Sequence, residues 1–422
     1  MATGNPSSAE QPVLIIGAGI SGLLLAQRLH QDGVPFRLFE RDADLKTRGA
    51  GWGLTLHWSL PALRSLLPDH LAQRLPEAYV DRAAVAEGAS SSFPFFDLST
   101  GELKAATPKA SEAQRIRVTR EALRHLLATD INIEWEKSLA DATFGPTSAT
   151  ATFEDGSSMT GRLIIACDGA QSRVRRLIFP GQWETYKLPV RMLGVKLQLS
   201  PEQMKSVHDL DRFFLQGTAS SNDSFVYISV LDAPGNNAAS SDKYVCQMCV
   251  SWPYRDAFFN KPSPTEIPET NEEKRQFIET IAKTWAEPFR TLAHSIPPNE
   301  EIKHLTPQDF APPPDLRTTG RALLMGDALH AMAMYRGEGA NHAIVDVQDF
   351  VERVVPVLKE NQPLNILRGA LDAYEDEVIK RARPGVLASR RACLDAHEWS
   401  RINNRSPLLT RRERNTQFME DS

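Results

Sequence analysis

Two glycine-containing segments, far apart in the chain, carry residue types suited to binding a large phosphate-bearing ligand. They read Gly17-Ala-Gly19-Ile-Ser21-Gly22 and Gly326-Asp327-Ala-Leu-His330. Gly17 permits a tight turn, Gly19 lets the backbone approach a pyrophosphate, and Gly22 lets a helix pack closely on a strand. A carboxylate that follows an apolar strand, such as Asp327, can accept hydrogen bonds from a polyol. The pair of motifs therefore predicts an extended dinucleotide held at two remote places.

The elements around the first motif predict a βαβ unit. An apolar run at residues 12–16 leads into the glycines, residues 20–30 carry apolar side chains at helical spacing, and residues 35–40 predict the next strand. The helix N-terminus would offer unpaired N–H groups to phosphate. Glu40 ends the second strand, where an acidic residue accepts from an adenosine ribose. Two alternatives to dinucleotide binding are a βαβ turn that serves only packing and a signal anchor. The anchor is disfavoured because the segment lacks a basic flank and contains glycines.

Two further segments predict strands that end near the same ligand. Residues 149–153, the turn Glu154-Asp155-Gly156-Ser157 and residues 161–168 predict a hairpin that feeds a buried strand. Residues 321–327 predict another buried strand, and Arg336-Gly337-Glu-Gly339-Ala340-Asn341 predicts a loop before a helix. The positive end of that helix would favour negative charge on a ligand that meets the loop. An ordinary loop and N-cap is the alternative for this last segment.

With these motifs in order, the chain resembles the single-component FAD-dependent monooxygenases of the para-hydroxybenzoate hydroxylase type. The resemblance rests on the first glycine motif with Glu40, on Asp168-Gly169 with Ser172, Val174 and Arg175, and on the segment from Gly326 to Asn341. Arg120 matches a family arginine that contacts FAD from a helix start. The family usually has proline at the positions of Ala331 and Met334, which leaves oxygen activation and the reaction outcome open.

The resemblance implies an α/β fold, with a Rossmann-like FAD-binding domain, an inserted β-sheet substrate domain and C-terminal helices. It implies FAD as cofactor and NADPH or NADH as a transient co-substrate. In the implied cycle NAD(P)H reduces FAD, O2 forms a C4a-hydroperoxide, and an aromatic or polyketide-like small molecule is hydroxylated. Epoxidation, Baeyer–Villiger insertion, oxidation without oxygen transfer, and a non-catalytic flavin-binding protein remain alternatives. The absence of a WxWxIP segment disfavours halogenation.

The resemblance and the motifs together give a set of candidate site residues. Those expected to bind FAD are Gly17, Gly19, Ser21, Gly22, Glu40, Arg41, Arg48, Gly51, Arg120, Asp168, Asp327, Gly337, Gly339, Ala340 and Asn341. The candidates for acting on the substrate are His57, Arg191 and Tyr227. His57 could accept a phenolic proton, since a histidine pKa lies near neutrality. For all three, an ordinary structural role is the alternative, and His330 is expected to orient the turn after Asp327.

The remaining sequence suggests how the domains are divided. Residues 11–70, 110–180 and 299–360 are expected to form the FAD-binding domain, and residues 71–109 and 181–298 the β-sheet substrate domain. Strand-like runs lie at residues 193–199, 225–231 and 244–252. Residues 361–402 are expected to form a C-terminal helical segment. Residues 1–10 and 403–422 are expected to be flexible tails.

Composition limits the possible partners. The 48 basic and 53 acidic side chains give a net charge of −5, which disfavours nucleic acid as a partner. No run of 18 apolar residues predicts a membrane span, and a monomer or homodimer is expected. Four cysteines indicate a reducing compartment, hence a soluble cytoplasmic protein. Cys246 and Cys249 should face opposite sides of a strand, so no metal site is expected there.

Overall fold

The computed structural model describes residues 11–47, 51–236 and 242–418. In chain order its strands are β1 (Val13–Ile16), β2 (Phe36–Phe39), β3 (Gly53–Leu56), β4 (Phe95–Asp97), β5 (Leu103–Ala105), β6 (Ile116–Thr119), β7 (Ile133–Glu134), β8 (Leu139–Phe144), β9 (Ala149–Phe153), β10 (Ser158–Gly161), β11 (Leu163–Ala166), β12 (Tyr186–Lys187), β13 (Val190–Leu199), β14 (Phe214–Thr218), β15 (Phe225–Asp232), β16 (Tyr244–Pro253), β17 (Lys303–Leu305), β18 (Gln308–Asp309) and β19 (Ala322–Leu324).

Helices connect and cover these strands. The α-helices are α1 (Ile20–Gln31), α2 (Leu60–Leu66), α3 (Asp69–Gln73), α4 (Arg82–Ala86), α5 (Arg120–Leu127), α6 (Arg173–Ile178), α7 (Pro201–His208), α8 (Asn271–Ala282), α9 (Phe289–His294), α10 (Asp327–His330), α11 (Gly339–Arg353), α12 (Val355–Lys359) and α13 (Leu364–Ala396). Short 3-10 turns lie at Leu75–Ala78, Phe258–Asn260, Met334–Arg336 and Trp399–Arg401. Within the described ranges, none of the helices combines the length and the apolar character needed to cross a bilayer.

A five-stranded parallel sheet contains the predicted βαβ unit. Its strand order is β19-β11-β1-β2-β7, and Val13 of β1 lies opposite Phe36 of β2 and Leu163 of β11. Every residue of β1 and β11 is buried, as expected for central strands that are covered on both faces. The βαβ unit and the hairpin β9–β10 before β11 are confirmed. Because β1, β11 and β19 are adjacent and parallel, the three motif segments leave the sheet at one edge.

A seven-stranded sheet forms the second layer. Its order is β17-β13-β16-β15-β14-β4-β5, and β13 pairs with β16 along its whole length. One face packs against α8 and α9 in a separate apolar core. The other face, called here the inner face, lies against the two-stranded sheet β3–β6. Two contacts join them: Gln247 Oε1 accepts from Gly53 N at 3.1 Å, and Tyr227 Oη accepts from Arg117 Nη2 at 2.6 Å.

Two parts of the chain depart from the expected domain division. Leu71 and Leu75, which were assigned to the sheet domain, pack in the core around the parallel sheet. Residues 403–418 do not form a loose tail throughout, because Ser406 is 3% and Leu408 1% exposed. The composition of this segment is polar, but its main-chain carbonyls accept hydrogen bonds from Arg336 and so anchor it.

Candidate active site

The glycines of the first motif have two different physical roles. Gly17 has φ +105°, and a Cβ there would overlap the carbonyl oxygen of Cys167. A Cβ on Gly22 would overlap the carbonyl oxygen of Gly17, so these two positions are fixed by packing. At Gly19 the nearest atoms to a Cβ, Arg120 Nη2 and Cys167 O, lie 4.0 Å away. Gly19 is therefore the position at which a ligand can approach the backbone.

Two helix N-termini lie beside this opening without side-chain caps. The residue before α1 is Gly19, and the residue before α11 is Glu338, and neither donates or accepts a capping side-chain hydrogen bond. The two helices pack against each other. First-turn N–H groups have no partner inside a helix, and their dipole end is positive. The pair therefore suits an anionic ligand.

The peptide at Ala18 is held from both sides. Its N–H donates to Glu40 Oε2 at 2.8 Å, and its carbonyl accepts from Arg124 Nε at 3.0 Å. Glu40 is 7% and Arg124 2% exposed. Glu40 thus stabilises the glycine loop directly, in addition to any contact with a ribose. Arg124 had no predicted role, and its signal in the sequence is only its position one helical turn after Arg120.

The Asp168 and Asp327 segments are joined by one buried arginine. Asp168 Oδ2 accepts from Arg173 N at 2.8 Å, which caps α6, while Asp168 Oδ1 is buried without a partner. Burial raises the pKa of Asp168. Arg175 Nη1 donates to Ala328 O at 2.7 Å, and its guanidinium lies 4.2 Å from the ring centre of Phe310. The two segments therefore form one rigid edge of the cleft.

Asp327 lies on the wall of this cleft. Its side chain is exposed, yet the surrounding protein raises its pKa by desolvation. The turn that carries Asp327 is fixed by Asp346, whose Oδ2 accepts from Gly326 N at 2.8 Å and contacts His330 Nε2 at 2.6 Å. His330 thus has the orienting contact expected for it. Asp346 was not predicted, because only the fold brings it to the turn.

The loop before α11 presents backbone rather than side chains to the cleft. Gly337 is exposed with φ +65°, and a Cβ on Gly339 would lie 3.8 Å from Asp327 Oδ1. The Asn341 side chain is engaged by protein: its Oδ1 accepts from His57 N at 3.0 Å and Ser59 Oγ at 2.8 Å, and its Nδ2 donates to Thr55 O at 2.9 Å. Asn341 can therefore offer a ligand only its main-chain N–H, and Ala340 is half-buried beside it.

The other predicted cofactor residues have varied surroundings. Arg120 begins α5, and its N–H donates to Trp52 O at 2.8 Å, so its position beside Gly19 is fixed. Ser21 is buried, and its hydroxyl would be overlapped by a Cβ on Gly326. Arg41 is exposed, and Gly51 has φ +63° just before β3. Arg48 lies outside the described residues.

The residues that were candidates for acting on the substrate lie in different surroundings. Tyr227 lies on the inner face, half-buried against the β3–β6 sheet. Arg191, the second candidate for acting on the substrate, does not lie on the inner face, so its expected role is wrong. It lies opposite Trp252, which packs in the core on the other face. Its guanidinium contacts Glu266 Oε2 at 3.1 Å and lies 3.5 Å from the ring centre of Tyr254, since the two-residue period of β13 points it outward.

His57 lies beside Phe93, with 6.4 Å between the ring centres, but it is not poised near neutral pH. Burial, followed by the charges of Arg412, Arg115 and Arg336, lowers its pKa to about 3. Such a weak base is poorly matched to a phenolic proton at neutral pH. At neutral pH His57 is therefore better suited to accept a hydrogen bond through its neutral ring than to act as the general base expected for it.

These groups fit FAD. The open backbone at Gly19 with Arg120 and the α1 N-terminus suits a pyrophosphate, and the exposed carboxylate of Asp327 suits a polyol chain. The orphan Asp168 Oδ1 provides a further acceptor. Main-chain N–H groups at the start of α11 suit the electron-rich edge of a flavin.

Known proteins resemble the chain along nearly its whole length. A family described as FAD binding domain matches residues 10–387. A probable FAD-dependent monooxygenase of Arthroderma benhamiae is 43% identical over 420 residues, which cover 96% of each chain. The FAD-dependent monooxygenase dbaB of Emericella nidulans is 34% identical over 386 residues, covering 89% of this chain and 94% of the other.

Solved structures show the same fold. The 2,6-dihydroxypyridine-3-hydroxylase from Arthrobacter nicotinovorans superposes with a TM-score of 0.73 at 19% identity, covering 99% of this chain and 100% of that chain. The matched family, the relatives and the cleft agree on the cofactor and the class of enzyme. The chain belongs to the FAD-binding-domain family and is an FAD-dependent monooxygenase.

Proposed function

We propose that the enzyme uses NAD(P)H and O2 to hydroxylate an aromatic or polyketide-like small molecule between the inner face of the seven-stranded sheet and the β3–β6 sheet. A cluster of rings at this place carries the proposal. Phe93 and Phe214 have ring centres 5.0 Å apart, Phe214 and Tyr227 5.9 Å apart, and His57 and Phe93 6.4 Å apart. Such a cluster suits a planar apolar substrate, since aromatic rings prefer offset or edge contacts at these separations.

The residues of the cleft would hold the cofactor at one end of this space. Bound FAD would supply hydride acceptance from NAD(P)H and transfer of one oxygen atom. The N–H groups of α1 and the guanidinium of Arg120 would bind the pyrophosphate, and Asp327 would accept from the ribityl chain. The uncapped start of α11 would stabilise negative charge on the pyrimidine edge.

Tyr227 is the side chain that we expect to position the substrate. Its hydroxyl accepts from Arg117 Nη2 at 2.6 Å, and Arg117 Nη1 also donates to Thr55 Oγ1 at 2.7 Å. A hydroxyl that accepts from a guanidinium keeps its own proton for another partner. Tyr227 can therefore donate to a substrate oxygen, with Arg117 fixing the direction.

A reducing compartment such as the cytoplasm is part of the proposal. Its support is that the four cysteines, Cys167, Cys246, Cys249 and Cys393, are all buried free thiols. Cys246 packs in the core under α8, whereas Cys249 lies on the inner face, so the pair does not share one site.

The test uses 2-naphthol as an electron-rich aromatic probe, with NADPH and 18O2. We expect FAD-dependent NADPH oxidation and a product that carries one 18O atom. Tyr227→Phe should raise KM by about five- to ten-fold, the loss expected for one hydrogen bond of about 1–1.4 kcal/mol. Tyr254→Phe, which removes a hydroxyl from the opposite face, is the matched control and should change nothing.

Other results would contradict the proposal. An oxidised product without 18O would support oxidation without oxygen transfer, which the replacement of proline by Met334 leaves open. If NADPH consumption yielded only hydrogen peroxide with naphthol and other electron-rich aromatics, aromatic molecules would be excluded as the substrate class.

A further inference from the structure

We propose that Arg412, together with Arg115, forms a subsite for a negatively charged oxygen group, such as a carboxylate, on the aromatic substrate. This anion subsite rests on the proposed function, because it concerns the charge of a molecule bound in the same cavity. Arg412 belongs to residues 406–412, which are part of the stretch 403–422 that was expected to be a flexible tail.

Residues 406–412 are fastened to the loop that precedes α11. Arg336 Nη2 donates to Arg411 O at 3.2 Å, Arg336 Nη1 donates to Thr410 Oγ1 at 3.1 Å, and it also donates to Pro407 O. Arg336 is held in turn by Glu338, with 2.6 Å between Nε and Oε2. The segment is therefore tied to the same loop that presents Gly337 and Gly339 to the cofactor cleft.

The guanidinium of Arg412 reaches the aromatic cluster. Its three nitrogens donate to the carbonyls of Arg336 at 3.4 Å, Thr410 at 3.4 Å and Leu408 at 3.2 Å. Its Cζ lies 5.0 Å from the ring centre of Phe93, and Arg115 Cζ lies 4.5 Å from the same ring. Both arginines thus lie near the ring of Phe93, which belongs to the aromatic cluster.

The positive charge at this place is not balanced. Arg115 donates to the carbonyls of Ser91 and Pro108, and across the described ranges no carboxylate oxygen lies within 4.0 Å of Arg115 or Arg412. Of the nearby carboxylates, Glu338 is committed to Arg336, and Asp211 accepts from Ser91 Oγ and main-chain N–H groups. Glu112, which lines the same cavity as Arg115, accepts from Tyr79 Oη. Both arginines are half-buried. A partly desolvated charge without an ion-pair partner is unfavourable, and an anionic ligand would offset it.

Two other observations indicate a ligand here. His57 Nε2 is buried without a hydrogen-bond partner, and buried polar atoms are normally paired. Phe93 has φ +48°, a left-handed conformation that a bulky residue adopts at a cost and that concentrates at functional sites. A cavity of about 30 Å³ lined by Ser91, Arg115 and Arg117 adjoins the cluster, with room for about two water molecules or the two oxygens of a carboxylate.

The experiment compares two ligands of equal shape, 2-naphthoate and 2-naphthamide, by titration calorimetry on the FAD-loaded enzyme. We expect the carboxylate to bind at least about ten-fold tighter than the amide, since hydrogen bonds to charged groups are the stronger ones. Arg412→Gln and Arg115→Gln should each remove most of this preference and leave amide binding within about two-fold. Arg411→Gln is the matched control: its side chain is 85% exposed and its loss should change neither affinity.

Several results would overturn the subsite. They are equal or unmeasurable binding of the two ligands, an equal effect of Arg411→Gln and Arg412→Gln, and an equal loss of both ligands in Arg412→Gln. Equal or unmeasurable binding would show that the enzyme does not prefer the charged ligand. Equal effects of the two arginine substitutions would indicate only long-range electrostatics. Equal loss of both ligands would show that residues 406–412 shape the site without recognising charge. A thermal melt shows whether each variant is folded. If Arg412→Gln does not fold, the loss or retention of the carboxylate preference in Arg115→Gln tests the subsite. Continued 18O incorporation into naphthol would show that the subsite alone had failed.

Discussion

A buried ion network under the Asp327 turn allows a direct test of how burial controls the strength of a charge pair. Asp346 Oδ1 accepts from Arg381 Nη2 at 2.7 Å, and Asp346 Oδ2 binds Gly326 N and His330. Burial alone would raise the pKa of Asp346, but His330 and Arg381 outweigh it and hold that pKa well below its ordinary value. On the surface of α13, Arg368 contacts Asp372 at the same distance, 2.7 Å.

The two pairs should respond very differently to removal of the negative charge. The Arg381 and Asp346 side chains are 1% and 0% exposed, whereas Arg368 and Asp372 are 17% and 47% exposed. Breaking a buried pair costs about 3–5 kcal/mol, and an exposed pair contributes at most about 1 kcal/mol. Because Arg381 keeps Asp349 at 3.0 Å, we expect Asp346→Asn to lower the free energy of unfolding by about 3 kcal/mol. Asp372→Asn should lower it by less than about 1 kcal/mol.

The assay is urea unfolding followed by tryptophan fluorescence, with free FAD held equal for all variants because FAD itself stabilises the folded state. Asp346→Asn should also weaken FAD binding, since the acceptor for Gly326 N is altered and Asp327 follows it in the chain. Equal destabilisation by the two substitutions would refute the reasoning, because pair distance rather than burial would then set the energy. If Asp346→Asn bound FAD as tightly as the wild type, the ion network would have no influence on cofactor binding.

Two further predictions follow from the same packing. Gly22→Ala should destabilise the apoprotein by about 1–3 kcal/mol, because the new methyl group overlaps a carbonyl. Gly19→Ala should leave the melting temperature of the apoprotein unchanged and weaken FAD binding; equal melting curves for both variants would contradict the two roles. Burial raises the pKa of Glu375 from 4.5 to about 7, so its protonated form favours folding at low pH. That stability, about 3 kcal/mol, is lost as pH rises from 4.5 through 7. Glu375→Gln should flatten this part of the pH–stability curve. An unchanged slope would show that Glu375 does not cause this pH dependence.

The parallel sheet and its cofactor edge were predictable from local sequence patterns alone. Short apolar strands followed by Gly17, Asp168 or Asp327 are local patterns, and parallel strands bring their carboxyl ends to one edge whatever the rest of the chain does. The glycines at 17, 19 and 22 were predictable for the same reason, because a tight turn and a close helix contact leave no room for a side chain.

The side chains that meet in the proposed substrate site depend on strand register and on long-range contacts, which no local pattern encodes. Arg191 and Tyr227 look alike as strand residues, but the register of β13 and β15 places them on opposite faces. A pKa depends on neighbours that are distant in the chain, so the sequence could not reveal that burial, followed by the charges of Arg412 and Arg115, lowers the pKa of His57. Residues 406–412 show the same limit: their polar composition suggested a tail, and the carbonyl contacts with Arg336 that order them exist only in the folded protein.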